Sequence, residues 1–217
     1  MQDFAASRTM MVDTQVRPND VTKFPVIEAM LSVPREHFVP DAQRHVAYSE
    51  DDLAVGHGRI MLAPRSFSKM IDGLDIQPTD LVLHIGAGLG YSAAVLARMA
   101  QAVVAIDDQP ELVAEAQRRL AQVGADNAVV TQAELAAGAP GQAPFDAILI
   151  EGAVQDVPAA VLDQLADGGR IAALFMDGAL GTVRIGHKVA GQVSWRFAFN
   201  ATAALVPGFE RRKEFVL

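Results

Sequence analysis

Leu81-Val-Leu-His-Ile-Gly-Ala-Gly-Leu-Gly-Tyr91 carries a short apolar run into the alternate glycines Gly86, Gly88 and Gly90, and a helical pattern over Ser92–Met99 follows at once. A buried strand that ends in glycines and turns straight into a helix brings bare backbone N–H groups close to a ligand. The next apolar run, Val103-Val-Ala-Ile-Asp107, ends on an acid. A carboxylate there can accept hydrogen bonds from both hydroxyls of a ribose, with Asp108 as the alternative acceptor. Gly86, Ala87, Gly88, Gly90 and Asp107 together read as a nucleoside-cofactor site.

Outward from this point the pattern is regular. Strands are expected at Leu81–Ile85, Val103–Asp107, Ala128–Gln132, Ala147–Ile150 and Gly169–Phe175, with helices at Ser92–Met99, Pro110–Val123 and near Pro158–Leu165. Such alternation implies a parallel sheet with helices on both faces and right-handed crossovers. The end differs: Val183–Val189, Gln192–Asn200 and Lys213–Leu217 read as strands without intervening helices, and Gly191 joins the first two in a tight turn. The sheet should therefore finish with an antiparallel edge. Ahead of the sheet, helices are expected around Met10–Val16, from Lys23 or Pro25 to Leu31, over Pro34–Val39 and from Pro64 to Leu74. His45–Ala54 reads as mostly loop, Gly56-His-Gly58 as a turn and Ala136–Pro144 as a connecting loop.

The chain has 217 residues, enough for one large domain or one domain with an N-terminal cap, and no Cys. Disulfides and thiolate metal sites are excluded. The histidines, at 37, 45, 57, 84 and 187, lack the HExxH spacing of a zinc site, so no metal is expected. A formal charge of −8 argues against a general nucleic-acid binder. No signal-like segment and no apolar stretch of about 20 residues is present, which makes the cytoplasm the expected location and a membrane partner unexpected. A monomer or a homodimer is equally compatible with the sequence.

An ordered series of motifs resembles the protein-L-isoaspartyl O-methyltransferase family, a branch of the class I S-adenosylmethionine-dependent methyltransferases. The series is Met11-Val-Asp-Thr-Gln-Val-Arg17, Val26-Ile-Glu-Ala-Met30, Val33-Pro-Arg-Glu-His-Phe-Val-Pro40, Ala47-Tyr48, Val55-Gly-His-Gly58, the glycine loop, Asp107, Asn127, Pro144-Phe-Asp-Ala-Ile148, Val157-Pro158 and Leu162-Asp-Gln-Leu-Ala-Asp-Gly-Gly-Arg170. The resemblance implies a Rossmann-like α/β fold: a mostly parallel seven-stranded sheet, an antiparallel C-terminal edge and an N-terminal helical cap. It divides the chain into a cap and substrate-side segment, 1–75, and a cofactor-binding domain, 76–217. The implied cofactor is S-adenosyl-L-methionine, and the implied reaction is methyl transfer to a carboxylate of a damaged protein or peptide.

The sequence departs from the family at several site positions. Leu62, in Met61-Leu-Ala-Pro64, stands where the family has a Ser held important for catalysis. Leucine neither donates nor accepts a hydrogen bond. Ser66 and Ser68 are substitutes only if they face the cleft. His84 stands where the family has Glu or Asp, two residues before the first glycine, and a protonated imidazole there would repel the sulfonium. Gln132-Ala-Glu-Leu135 replaces a Gly-Asp-Gly, with Glu134 as a longer adenine-side acceptor. Glu151 replaces a small polar residue and would disfavour a carboxylate substrate unless paired.

His57 lies in the segment that faces the substrate in the family. Arg65 is either a partner for a substrate carboxylate or a surface charge. Met10-Met11 and Val26–Leu31 read as core, Arg118-Arg119 as a solvated helix face, and Arg211-Arg-Lys213 as an exposed basic run. The alternative function is a divergent member that binds S-adenosylmethionine or S-adenosylhomocysteine without isoaspartyl repair, or that uses another acceptor. A nicotinamide dehydrogenase is disfavoured, because no Tyr-x-x-x-Lys pair follows the glycine loop.

Overall fold

A computed structural model describes residues 3–211. Helix α1 (Phe4–Met11) opens on Asp3, whose side chain accepts from the Ala6 amide, and continues through a π-helical turn, Val12–Val16. Helix α2 (Phe24–Ser32) tolerates Pro25 because a first-turn residue needs no helical N–H bond. Short 3-10 turns at Arg35–Phe38 and Asp41–Val46 lead to an antiparallel hairpin, β1 (Leu53–Gly56) and β2 (Arg59–Met61). Helix α3 (Pro64–Leu74) follows.

The main sheet then builds as β3 (Leu81–Ile85), α4 (Tyr91–Ala97), β4 (Ala102–Asp107), α5 (Pro110–Gln122), β5 (Ala128–Gln132), β6 (Phe145–Val154), α6 (Ala159–Asp163), β7 (Leu165–Asp177), β8 (Leu180–Val189) and β9 (Gln192–Asn200). The strand order is β5-β4-β3-β6-β7-β8-β9, parallel up to β7 and antiparallel from β7 to β9. This is the expected seven-stranded, Rossmann-like architecture with its antiparallel edge. The strand expected at Lys213–Leu217, and most of the basic run ending at Lys213, lie outside the described residues.

Two apolar clusters cover the two faces, as alternation along each strand requires. Val82, Ala105 and Leu149 join the N-terminal helices, α3, α4 and α5 on one face. Leu83, Ile85, Ile106 and Ile148 join Val161 of α6 and the tail residues Val206 and Phe209 on the other. The N-terminal segment is therefore one half of the packing around the sheet rather than an appendage.

Three local expectations are corrected. The loop read from His45 contains β1, because Leu53 and Val55 alternate inward and pair with β2. Met11 is core at 1% exposure, but Met10, one position round the helix, is 65% exposed. Arg118-Arg119 is not one solvated face. Arg118 pairs with Glu115 in solvent, whereas Arg119 turns under the cap and donates from Nη1 to the carbonyls of His37 (2.5 Å) and Val39 (2.9 Å). That guanidinium ties α5 to the turn after α2.

Arg119→Ala is expected to lower unfolding stability by about 2 kcal/mol, since its bonds to the His37 and Val39 carbonyls and to Glu115 are lost and the part-buried carbonyls are left unpaired. Arg118→Ala should leave the urea midpoint unchanged, as an exposed ion pair contributes little. Equal losses in the two variants would show that the cap is not anchored through Arg119.

Candidate active site

Strands β3 and β6 are neighbours, and the chain spreads from them in opposite directions, to β4 and β5 on one side and to β7–β9 on the other. The crevice beyond the carboxyl ends of such strands is where an open α/β sheet takes a ligand. His84 pairs in register with Leu149, so Glu151 extends past the end of β3 on the same face, beside Gly86. His84 Nε2 lies 2.8 Å from Glu151 Oε2, and both residues are buried. The other carboxylate oxygen, Oε1, accepts the Leu62 amide at 3.2 Å.

With Glu151 ionised, the contact needs a proton on Nε2. Nδ1 of His84 is then a bare acceptor in the neutral imidazole, and it has no hydrogen-bond partner among the described residues. Both oxygens of Glu151 thus have a hydrogen-bond partner, His84 for one and the Leu62 amide for the other.

The structure corrects the expectation of bare amides at 86–90. The Gly86 and Ala87 amides both donate to the Ile106 carbonyl, the Gly88 amide to Asp107 Oδ2 (3.0 Å) and the Gly90 amide to Ala87. The glycines instead provide room. Gly88 has φ +53°, and a Cβ on it would stand 3.1 Å from Val55 Cγ2 of the hairpin, while a Cβ on Gly86 (φ +86°) would stand 3.0 Å from the Glu151 carbonyl. A Cβ at either glycine would press on these neighbours, on a side-chain methyl at Gly88 and on a backbone oxygen at Gly86.

Asp107 ends β4 fully buried. Its Oδ1 accepts the Gln109 amide at 3.1 Å, and its Oδ2 accepts both Gly88 N and Arg59 Nε, the latter at 3.2 Å. Arg59 also reaches Asp108 Oδ1 through Nη2 at 2.5 Å. Sequence reasoning missed Arg59. The available signal was a cation one residue past the Gly56-His-Gly58 turn, in a chain that also carries the double acid Asp107-Asp108.

Leu62 is buried in the cap-side core, and its carbonyl accepts from Arg35 Nη2 at 2.8 Å. Arg35, fully buried, also donates to the Ala47 carbonyl and stacks over Tyr91, 4.7 Å from the ring centroid. Backbone groups of residue 62 thus bridge Arg35 and Glu151, while the side chain is packing. The adjacent Ala63 amide donates to Asp52, a carboxyl whose pKa is pushed up chiefly by burial.

The remaining expected residues are less central. Ser68 is buried and its hydroxyl bonds the Arg65 carbonyl in its own helix. Arg65 is exposed, with Nε on Asn19 Oδ1 and its guanidinium over Phe199. His57 is exposed at the hairpin tip with φ +52°. Glu134 is exposed and borders an open cleft of about 1260 Å³ with Ala136, Asp156, Pro158 and Glu210. That cleft lies apart from the buried His84–Glu151 pair. Asn127, quoted among the motifs, clamps the end of α4 through the carbonyls of Ala97 and Ala100. No group of three or more His, Asp or Glu able to hold a metal occurs among the described residues, and no described helix is long and apolar enough to cross a membrane.

Comparison with known proteins gives a consistent set. The sequence model of the family described as Protein-L-isoaspartate(D-aspartate) O-methyltransferase (PCMT) matches residues 7–181. A protein-L-isoaspartate O-methyltransferase of Roseiflexus castenholzii is 41% identical over 169 residues, 78% of this chain and 77% of the relative. One of Koribacter versatilis is 36% identical over 190 residues, 88% of this chain and 86% of the relative. A Plasmodium falciparum protein assigned as a protein-L-isoaspartate O-methyltransferase, solved with S-adenosyl-L-homocysteine, superposes with a TM-score of 0.75 at 16% identity, over 94% of this chain and 98% of that one. At that identity the likeness concerns the fold.

Glu151→Ala is expected to cost about 2–4 kcal/mol, because the Leu62 amide and His84 Nε2 both lose their acceptor in a buried place. Glu151→Gln keeps an acceptor oxygen and should cost less than half as much. Denaturant titration of both variants measures the difference; a neutral Glu151→Ala would mean the pair does not hold the segment at residue 62.

Proposed function

This chain belongs to the protein-L-isoaspartate O-methyltransferase family, and from that premise we propose that it transfers methyl from S-adenosyl-L-methionine to the carboxylate of isoaspartyl residues in damaged protein or peptide. The observation that carries this reading is the close approach of the β3 glycine loop to a buried strand-end carboxylate, Asp107, with Gly86 and Gly88 so tightly covered that an added Cβ would press on their neighbours. Those residues fit an adenosyl cofactor. Asp107 would hold the ribose. Gly86, Ala87, Gly88 and Gly90 would let the cofactor approach the backbone. His84 and Glu151 would face its cationic end, while Asp108 and Glu134 would border the adenosine side. A division into a cap of residues 1–75 and a cofactor domain of residues 76–217, and a cytoplasmic setting, belong to the same proposal.

When bound, S-adenosylmethionine supplies a methyl group on a sulfonium, already activated by its charge. A carboxylate acceptor needs no base. The protein's part is then positioning and the exclusion of water. An ionised Glu151, buried beside Gly86, would favour a cation at that end of the site. The Leu62 side chain adds apolar cover and no hydrogen bond, so acceptor orientation would fall to the backbone and to other groups of the site. Loss of one oriented hydrogen bond slows a step without removing it, which is compatible with turnover at this site.

The deciding experiment is transfer of labelled methyl from S-adenosylmethionine to an isoaspartyl peptide, with the normal aspartyl peptide as control. A base-labile ester on the isoaspartyl peptide alone is expected; no ester above the enzyme-free blank refutes the reading. Leu62→Ser is expected to raise kcat by about 30-fold or more by restoring an orienting hydroxyl. The same change opens a cavity in a packed site and should lower stability by about 2–4 kcal/mol. An activity that falls in step with stability would assign position 62 to packing alone.

A further inference from the structure

Arg59 occupies the carboxylate that the cofactor's ribose needs. We propose that this arginine is an internal competitor for the ribose at Asp107 and thereby sets the affinity of the protein for its adenosyl cofactor. The inference rests on the cofactor reading given above and goes beyond it by naming the residue that limits binding.

An ionised carboxylate offers about four acceptor positions. Three donors already use those of Asp107: the amides of Gly88 and Gln109 and Nε of Arg59. A ribose that donates from both hydroxyls needs two positions, and about one is open. The two amides cannot leave. Gly88 belongs to the glycine loop, and Gln109 caps α5. Arg59 is the only side chain among the three and can let go. When it does, Nη2 already has a second partner in Asp108, whose side chain is 30% exposed against 0% for Asp107. The guanidinium therefore need not become an unpaired buried charge. It passes from a shared pairing to Asp108, and Asp107 turns to the ribose.

The hairpin makes the competition stronger. Arg59 starts β2, only 3% exposed, and its Cβ lies 3.9 Å from the place a Cβ on Gly88 would take. The side chain is thus delivered to Asp107 by a segment already packed on the loop, with little entropy left to lose. A preorganised internal donor lowers the apparent affinity of any ligand that must displace it.

Calorimetric titration of the purified full chain with S-adenosylhomocysteine tests the proposal. Arg59→Gln removes the charge and should tighten binding roughly tenfold, the weight of one charge-assisted hydrogen bond. Arg59→Lys keeps a charge but cannot bridge both acids, and should tighten binding by a smaller factor; it carries the test if Arg59→Gln does not fold. Adding Asp107→Asn to Arg59→Gln should abolish the gain, because the freed carboxylate is its source. A purely structural Arg59 would give weaker binding in every variant. Unchanged or weaker binding in both single variants, with the wild type binding normally, overturns the assignment of Arg59 alone. Absence of binding by the wild type and the variants alike overturns the cofactor reading with it.

Discussion

One buried carboxylate joins the parts of the site. Asp107 accepts from the glycine loop, from the first turn of α5 and from the β1–β2 hairpin, and so connects sheet, helix and cap at a single residue. Burying a charge is tolerable only when donors surround it, and here they come from all three of those segments. Gly88 is the other half of this constraint. It lets Val55 of the hairpin sit close enough for Arg59 to reach across.

A second buried pair, His84–Glu151, crosses between β3 and β6. The imidazole on β3 meets the carboxylate one strand over within hydrogen-bond distance. The cap reads the same pair, because the Leu62 amide ends on Glu151 and the Leu62 carbonyl ends on Arg35. Leu62 serves here through its backbone. Its side chain fills core.

Much of this was legible from pattern. Strand and helix alternation from Leu81 onward, the helix Pro64–Leu74 and the Gly191 turn follow from local periodicity and turn chemistry, and they agree with the structure within a few residues. The hairpin was not legible, since strands of four and three residues carry almost no period. Arg118 and Arg119 are identical in type and adjacent, yet one pairs in solvent and the other anchors the cap. Only the position of the turn at Arg35–Phe38, far away in sequence, separates them. The loop amides were misjudged for a similar reason: their acceptors, Ile106 and Asp107, belong to a neighbouring strand.

The sequence by itself determined the class of fold and the place of the glycine loop and its strand-end acid. Periodicity, glycine placement and an ordered set of motifs act over short distances and are written directly in residue order. The tertiary structure alone decided which charges meet. Arg59 with Asp107 spans 48 positions, and His84 with Glu151 spans 67. Pairing energy in a buried site depends on ångström distances and on how many donors share one oxygen, and neither quantity exists until the strands are laid side by side.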